Sequence, residues 1–269
     1  MQFTRQLMAG TVTIKEHRMS DKEFLESYDE GEYRRPSVTA DILVFSMSSD
    51  FKLQLLLVKR KNQPHMGKWA IPGGFVDYDE SLEEAALREL KEETHVEDVY
   101  LEQLYTFGKP GRDPRTRVIS VAYVALVPKE RLHIQAGDDA AEAALFEIEN
   151  IDWGIRFYSP EMREALSEED LAFDHAEIIR TALKRLAGKL DYTDIAFQML
   201  ENKRCFTAYE FEKIYEAISG RKVEKSNFRR DFIGRYIKTG VIEELDVKSS
   251  RYSIKPATCY CYKRQSHRA

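Results

Sequence analysis

With 269 residues, 43% of them hydrophobic and 32% charged, the chain is able to bury a core and is long enough for one large domain or two smaller ones. No apolar run approaches the roughly 20 residues of a membrane-spanning helix, and the N-terminal stretch MQFTRQLMAGTVTIKEHRMSDKEF lacks the basic-then-apolar layout of a secretory signal. A membrane partner is therefore excluded and a cytoplasmic location expected. Cys205, Cys259 and Cys261 are too few and too closely spaced for a disulfide framework or a zinc site and read as reduced thiols. The net charge of −5 argues against nucleic acid, but the charge is unevenly placed. Residues 201–269 hold 16 Lys and Arg against 9 Asp and Glu, while the preceding residues hold 25 against 37. Such asymmetry points to two domains with different partners.

Residues 1–35 read as a lead without clear signal up to Ser20, which forms a capping box with Glu23 and predicts a short helix over Asp21–Tyr28. Arg34-Arg35-Pro36 breaks the chain. Ser37–Met47 is an apolar, β-branched run that predicts a strand, and Lys52–Lys61 alternates as its hairpin partner. Gly67–Val76 predicts a strand in which Trp69 and Ile71 are packing residues. Next comes GGFVDYDESLEEAALRELKEETHV (Gly73–Val96), where Leu82, Ala85, Ala86 and Leu90 fall at helical spacing. Glu89, Glu92 and Glu93 lie at i, i+3 and i+4, so a helix gathers three carboxylates on one face. Their mutual repulsion is relieved either by solvent, as on most acidic faces, or by a hard divalent cation, which prefers oxygen ligands and shares them with substrate phosphates.

Further strands are predicted at Val99–Gly108, Val118–Pro128 and Ala143–Ile151, with a polar loop, Lys109–Arg117, between the first two. Within Leu166–Leu190, Ile178, Ile179, Ala182, Leu183 and Leu186 form one helical stripe whose end is marked by Gly188. Strands, one helix, more strands and a second helix make an α+β domain over residues 36–188.

From residue 189 the pattern changes. Asp194–Leu200 has helical apolar spacing, and Thr207 with Glu210 forms a capping box that opens a helix running to Gly220. Ser226 is the expected N-cap of a third helix, NFRRDFIGRYIKTG. Two strands follow, joined by a polar loop holding Lys248, Ser249, Ser250 and Arg251. Helix, helix, turn, helix and hairpin over residues 189–269 is the layout of a winged helix-turn-helix. Arg221, Lys222, Lys225, Asn227, Arg229, Arg230 and Arg235, on or before the third helix, and Lys248 and Arg251, on the wing, are candidates for contacts to double-stranded operator DNA. A small dimerisation module with a solvated basic face is the alternative.

Two resemblances sharpen this. Gly74, Glu80 and the run Arg88-Glu89-Leu90-Lys91-Glu92-Glu93, closed by Val96, resemble the Nudix box of nucleoside-diphosphate-X hydrolases, Gly-x5-Glu-x7-Arg-Glu-U-x-Glu-Glu-x-Gly-U. One fixed position departs: His95 stands where the box has its second Gly, a helix-closing position that favours positive φ. Nearly the whole chain is similar to the Nudix-related, NrtR-like transcriptional regulators, through RRPSVTADILVF, GKWAIPGGFVDYDES, GRDPRTRVISVAYVALV, AGDDAAEA, FDHAEII, LDYTDIAFQML and FTAYEFEKIYEAISGRKVEKSNFRR.

The resemblance implies a Nudix fold, a mixed β-sheet between helices, followed by a winged helix, with ADP-ribose or a related nucleoside-diphosphate ligand altering affinity for an operator bound by a homodimer. It implies Mg2+ or Mn2+ held by Glu89, Glu92 and Glu93, an Arg88–Glu80 ion pair orienting the box helix, and Glu142, in the loop GDDAAEA, as general base. Gly73, Gly74, Arg112, Arg115 and Arg117 are the expected ligand-binding residues. The alternative activity is a pyrophosphohydrolase that turns ADP-ribose into AMP and ribose 5-phosphate.

Overall fold

The computed structural model describes residues 19–134, 140–151, 154–252 and 254–263. Residues 19–35 belong to a small unit of their own, whose helix α1 (Asp21–Ser27) is closed at its start by the reciprocal Ser20–Glu23 capping box. The rest forms a second compact unit.

In that unit β1 (Ser37–Met47) is an interior strand, paired along both edges. It runs parallel to β6 (Val118–Leu126) and antiparallel to β2 (Leu53–Arg60), which makes the sheet mixed. The full order is β5-β6-β1-β2-β7-β8-β9, with β5 (Tyr100–Phe107) at one edge and the hairpin β8 (Gly154–Ser159) and β9 (Glu164–Ser167) at the other, beyond β7 (Ala140–Ile151). Successive residues of a strand point to opposite faces, and both faces of β1 are covered. Ala40, Ile42 and Val44 pack with Ala85, Ala86 and Leu90 of α2 (Leu82–Thr94). Leu43, Phe45 and Met47 belong to the cluster that includes Ile178, Ile179, Ala182, Leu183 and Leu186 of α3 (His175–Lys189). The sheet is thus sandwiched between the box helix and the striped helix.

Three expectations need correction. The strand over Gly67–Val76 is two short ones, β3 (Trp69–Ala70) on β2 and β4 (Gly73–Phe75) on β1. Between them the Ile71 N–H turns to the ring of His175, and Pro72 has no N–H to offer a ladder. Gly188 does not end α3, which continues through Lys189. Glu142 lies on β7 rather than in a loop; residues 135–139, before it, lie outside the described residues, as do residues 1–18 of the lead.

α2 is closed by His95 in the left-handed conformation, φ 54° and ψ 24°, its N–H donating to the Lys91 carbonyl. A side chain there costs about 1 kcal/mol relative to glycine. His95→Gly is expected to raise stability by up to about 1 kcal/mol, seen as a higher melting temperature; a lower one would show that the imidazole makes a compensating contact.

The core cluster continues past α3 into the C-terminal module through Leu190, Ile195, Phe197 and Phe211 to Ile242 and Tyr262. A 3-10 turn (Ile195–Met199) takes the place of the first expected helix. Then come β10 (Phe206–Thr207), α4 (Ala208–Ser219) and a continuous helical run made of α5 (Lys225–Phe228), a π segment (Arg229–Ile233) and α6 (Gly234–Lys238). β11 (Ile242–Ser249) and β12 (Ala257–Tyr262) complete a three-stranded sheet of order β10-β12-β11. Glu224, not Ser226, caps the reading helix; the Ser226 hydroxyl, together with the Asn227 and Ser226 N–H groups, donates to its carboxylate and holds it down at about 2. Lys248 and Ser249 belong to β11 rather than to the wing loop. Among the described residues, no helix is long and apolar enough to cross a membrane.

Candidate ligand cleft and nucleic-acid interface

A cleft of about 470 Å³ opens beside the N-terminal half of β1. The pairing of β4 with β1 sets Gly73 opposite Asp41 and Gly74 opposite Ala40. An added Cβ on Gly74 would lie 2.1 Å from Glu89 Oε1, so the absence of a side chain there lets the box helix bring its first carboxylate against the strand. Glu89, Glu92 and Glu93 all line the cleft.

Arg88 holds this end of α2 in place. Its guanidinium donates to both oxygens of Glu80 (3.1 and 2.7 Å), to Glu89 Oε1 (2.7 Å) and to the Phe75 carbonyl (3.2 Å). The Arg88 bonds, aided by the Asp77 N–H, hold the Glu80 carboxyl below its usual range. Glu89 goes the other way: burial lifts its carboxyl, with Glu92 and Asp41 adding repulsion, and Arg88 offsets only part of this.

On the opposite wall Arg112 is 5% exposed and makes two bonds to Asp174 (2.9 and 2.7 Å), with Asp41 3.6 Å away. Asp41 also accepts from the Ser120 hydroxyl. His175 is buried and neutral, since burial depresses its pKa; its Nδ1 accepts from the Ile71 N–H at 2.9 Å, which assigns the proton to Nε2. Arg115 pairs with Asp113 (2.7 Å) and lies 5.3 Å from the Phe75 ring and 5.9 Å from that of Phe173. Phe173 has a left-handed φ of 52°, and the Arg60 guanidinium lies 4.9 Å from its ring.

Of the expected ligand-binding residues, Gly73, Gly74, Arg112 and Arg115 line the cleft. Arg117 is not among its lining residues; it donates to the Gly108 carbonyl at 2.6 Å. Glu142 is exposed, also outside the lining, and 3.4 Å from Lys59 Nζ. Asp41, Arg60, Asp113, Phe173, Asp174 and His175 were not anticipated. The signal for the last three was the FDHAEII segment, read only as a family likeness.

In the C-terminal module the nine side chains expected to touch DNA are all exposed. Lys225, Asn227, Arg229, Arg230 and Arg235 follow the reading helix, whose other face buries Phe228, Ile233 and Tyr236 against α4 and β11. Some of the charges have protein partners. Arg230 pairs with Asp231 (2.7 Å), Arg251 with Glu201 (2.6 Å), and Arg235 donates to the Asp191 carbonyl (2.9 Å).

Glu216 joins α4 to the turn before the reading helix, accepting from Lys213 (2.6 Å), Lys222 (3.2 Å) and the Val223 N–H (3.0 Å). Burial pushes its carboxyl up, but these donors outweigh that and hold it at about 2, against 4.5 ordinarily. A depressed folded-state pKa contributes stability that is full above pH 4.5 and fades as pH falls toward 2. Glu216→Gln is expected to flatten this limb of a stability-versus-pH curve from urea melts between pH 7 and pH 2.5. An unchanged acid limb would contradict the assignment.

A model of the NUDIX domain matches residues 35–168, and one of the NrtR DNA-binding winged helix domain matches residues 196–262. The ADPR responsive transcriptional repressor NtrR of Acinetobacter baylyi is 34% identical over 258 residues, 95% of this chain and 94% of that protein. This chain belongs to the NrtR-type Nudix regulators. The crystal structure of Shewanella oneidensis NrtR complexed with a 27mer DNA is similar across both modules, with 31% identity and a TM-score of 0.64 over 84% of this chain and 93% of that one. The ADP-ribose pyrophosphatase of Methanocaldococcus jannaschii is 36% identical over 166 residues, 61% of this chain and 84% of that protein. Membership accounts for the division of labour: the acidic Nudix part carries the cleft, and the basic winged part carries the helix with exposed cations.

Proposed function

We propose that this chain is a transcription regulator that senses ADP-ribose, or a closely related nucleoside-diphosphate ligand, in the Nudix cleft and binds operator DNA through the helical run 225–238 and the wing. The observation that carries this reading is the presence, in one compact unit, of the box carboxylates around a cleft and an exposed basic helix, in a chain alike over nearly its whole length to an ADP-ribose-responsive repressor. We place the module boundary at residues 188–189 and expect a cytoplasmic homodimer, because two-fold symmetry matches a palindromic operator.

The donor set suits a hard divalent cation. Glu89, Glu92 and Glu93 line one cleft, and burial, with Glu92 and Asp41 adding repulsion, disfavours the charged Glu89 carboxylate that a cation would stabilise. No three acidic, histidine or cysteine groups among the described residues form a ready cage. Water and ligand phosphate oxygens would complete the shell, as is usual for Mg2+ or Mn2+. When bound, such an ion polarises phosphate and acidifies water. The chain's own residues do the rest. Arg88 and Glu80 fix the box helix, Gly73 and Gly74 leave room for the ligand beside β1, and Arg115 presents a guanidinium suited to phosphate. Arg112, whose Nε–Nη2 edge is bound to Asp174, would hold the wall it lies on and keep its Nη1 side for a ligand.

Calorimetric titration with ADP-ribose tests this reading. Binding is expected with Mg2+ and at least about tenfold weaker, or about 1.4 kcal/mol, with EDTA; equal binding in both would refute the metal-dependent site. A second reading, hydrolysis of ADP-ribose to AMP and ribose 5-phosphate, is favoured by the complete carboxylate set in the cleft. Glu142, the candidate base, would first have to leave Lys59. Catalytic release of AMP would establish that activity.

A further inference from the structure

The two ends of α3 touch the two functional sites. At its start, Asp174 binds Arg112 and His175 accepts from Ile71, both on the wall of the ligand cleft. The helix then runs fifteen residues, about 22 Å at 1.5 Å per residue, and at its far end Lys189 pairs with Glu102 of β5. After Leu190, which caps the helix, residues 191–194 lead into the winged module, and that module grips them. Tyr215 Oη donates to Asp191 Oδ1 (2.7 Å), Arg235 Nη1 to the Asp191 carbonyl (2.9 Å), Tyr236 Oη to the Thr193 carbonyl (2.9 Å) and Tyr262 Oη to the Asp194 carboxylate. Two of the four donors, Arg235 and Tyr236, belong to the reading helix itself. The Arg235 guanidinium is also packed 5.1 Å from the Phe232 ring and 4.9 Å from the Tyr236 ring. Beside the linker lies a cavity of about 550 Å³ bounded by Tyr100, Tyr192, Arg235 and Val241, which gives the segment room to shift.

We propose that residues 191–194 are the joint through which ligand in the Nudix cleft repositions the reading helix, with Tyr215, Tyr236 and Arg235 as positioning residues that lock it. The inference rests on the regulator reading given above and adds the route by which its two sites are coupled. A ligand that changes the Asp174 end of α3 moves a rigid helix whose other end is tied to the reading helix by directional bonds. Breaking those bonds uncouples the sites and leaves each intact.

The test is the double variant Tyr215→Phe/Tyr236→Phe, which keeps both buried rings and removes only two hydroxyl donors. Anisotropy titrations of the full chain would use DNA from upstream of its own gene, at one fixed salt concentration, with and without ADP-ribose and Mg2+. In the wild type the ligand is expected to change the Kd for DNA by about tenfold. In the variant the Kd without ligand stays within about twofold, while the ligand-induced ratio shrinks at least about threefold. Linkage requires the same shrinkage in the effect of DNA on ADP-ribose affinity, a readout that general destabilisation would not mimic. Asp191→Ala, which removes an acceptor on the linker, must show the same loss and serves where the double variant does not fold. A variant that keeps the full wild-type ratio overturns the joint alone. A wild type indifferent to ADP-ribose overturns the regulator reading, and the joint with it.

Discussion

Replacing Phe197 by alanine is expected to destabilise the protein by about 4 kcal/mol, near the upper end for loss of a buried ring. Phe197 sits on the 3-10 turn that follows the linker, is fully buried, and is the hub of the aromatic core of the winged module. Its ring stacks on Phe211 (4.3 Å between centroids) and Tyr262 (4.8 Å) and meets Tyr236 (5.0 Å) and Phe206 (5.7 Å) edge-on. Truncation removes contacts with α4, α6, β10 and β12 at once, and the surrounding rings are too large to close the hole. Urea denaturation should show the midpoint falling with little change in slope, because the same surface is still exposed on unfolding. Phe197→Leu, which keeps most of the volume, should lose much less. A loss below about 1 kcal/mol for alanine would mean that the module collapses around the site far more readily than its packing implies.

The neighbouring glycines of the cleft should separate function from stability. Gly74→Ala is expected to weaken metal-dependent ADP-ribose binding by at least about tenfold, while the protein stays folded. The new Cβ would meet the Glu89 carboxylate, at 2.1 Å from Oε1 and 2.8 Å from Cδ, and that is the free end of a side chain able to swing aside. Swinging aside takes Glu89 out of its place between Gly74 and Arg88. At Gly73 the same methyl would meet the Ala40 carbonyl oxygen at 2.4 Å, which is backbone held in the interior strand β1. Gly73→Ala should therefore lower the melting temperature as well as the affinity. Calorimetric titration together with thermal melts of both variants distinguishes the two outcomes; full ligand affinity in Gly74→Ala would remove Glu89 from the binding site.

Much of this architecture was legible in the chain. The β-branched run Ser37–Met47 is a strand over that same range, and the three box glutamates do share a cleft-facing side of α2. His95 takes the left-handed conformation that the glycine position of the box implies. Each of these signals is local, set by neighbours within a few residues. Less legible was whatever depends on contacts remote in sequence. Arg112 reads as a phosphate ligand, and nothing near it in sequence shows that Asp174, 62 residues away, occupies its Nε–Nη2 edge. The strand into the box breaks because Ile71 gives its N–H to His175, 104 residues on. Arg235 and Arg251 carry the charge expected of a DNA-binding surface, yet the structure engages them with Asp191 and Glu201. The β8–β9 hairpin is a different case. Ile155 and Phe157 are buried and alternate with exposed Arg156 and Tyr158, a period-two pattern that the sequence itself carries.

The most direct test of the whole account is the binding of the wild-type chain to DNA from upstream of its own gene, measured by fluorescence anisotropy with and without ADP-ribose and Mg2+. Salt must be fixed, because phosphate contacts make any affinity depend on it. The account predicts sequence-specific binding, tighter than to scrambled DNA by at least about a thousandfold, with a Kd that shifts when the ligand is added. Weak, salt-sensitive binding that ignores both sequence and ligand would contradict it and leave the Nudix cleft as the site of an enzyme.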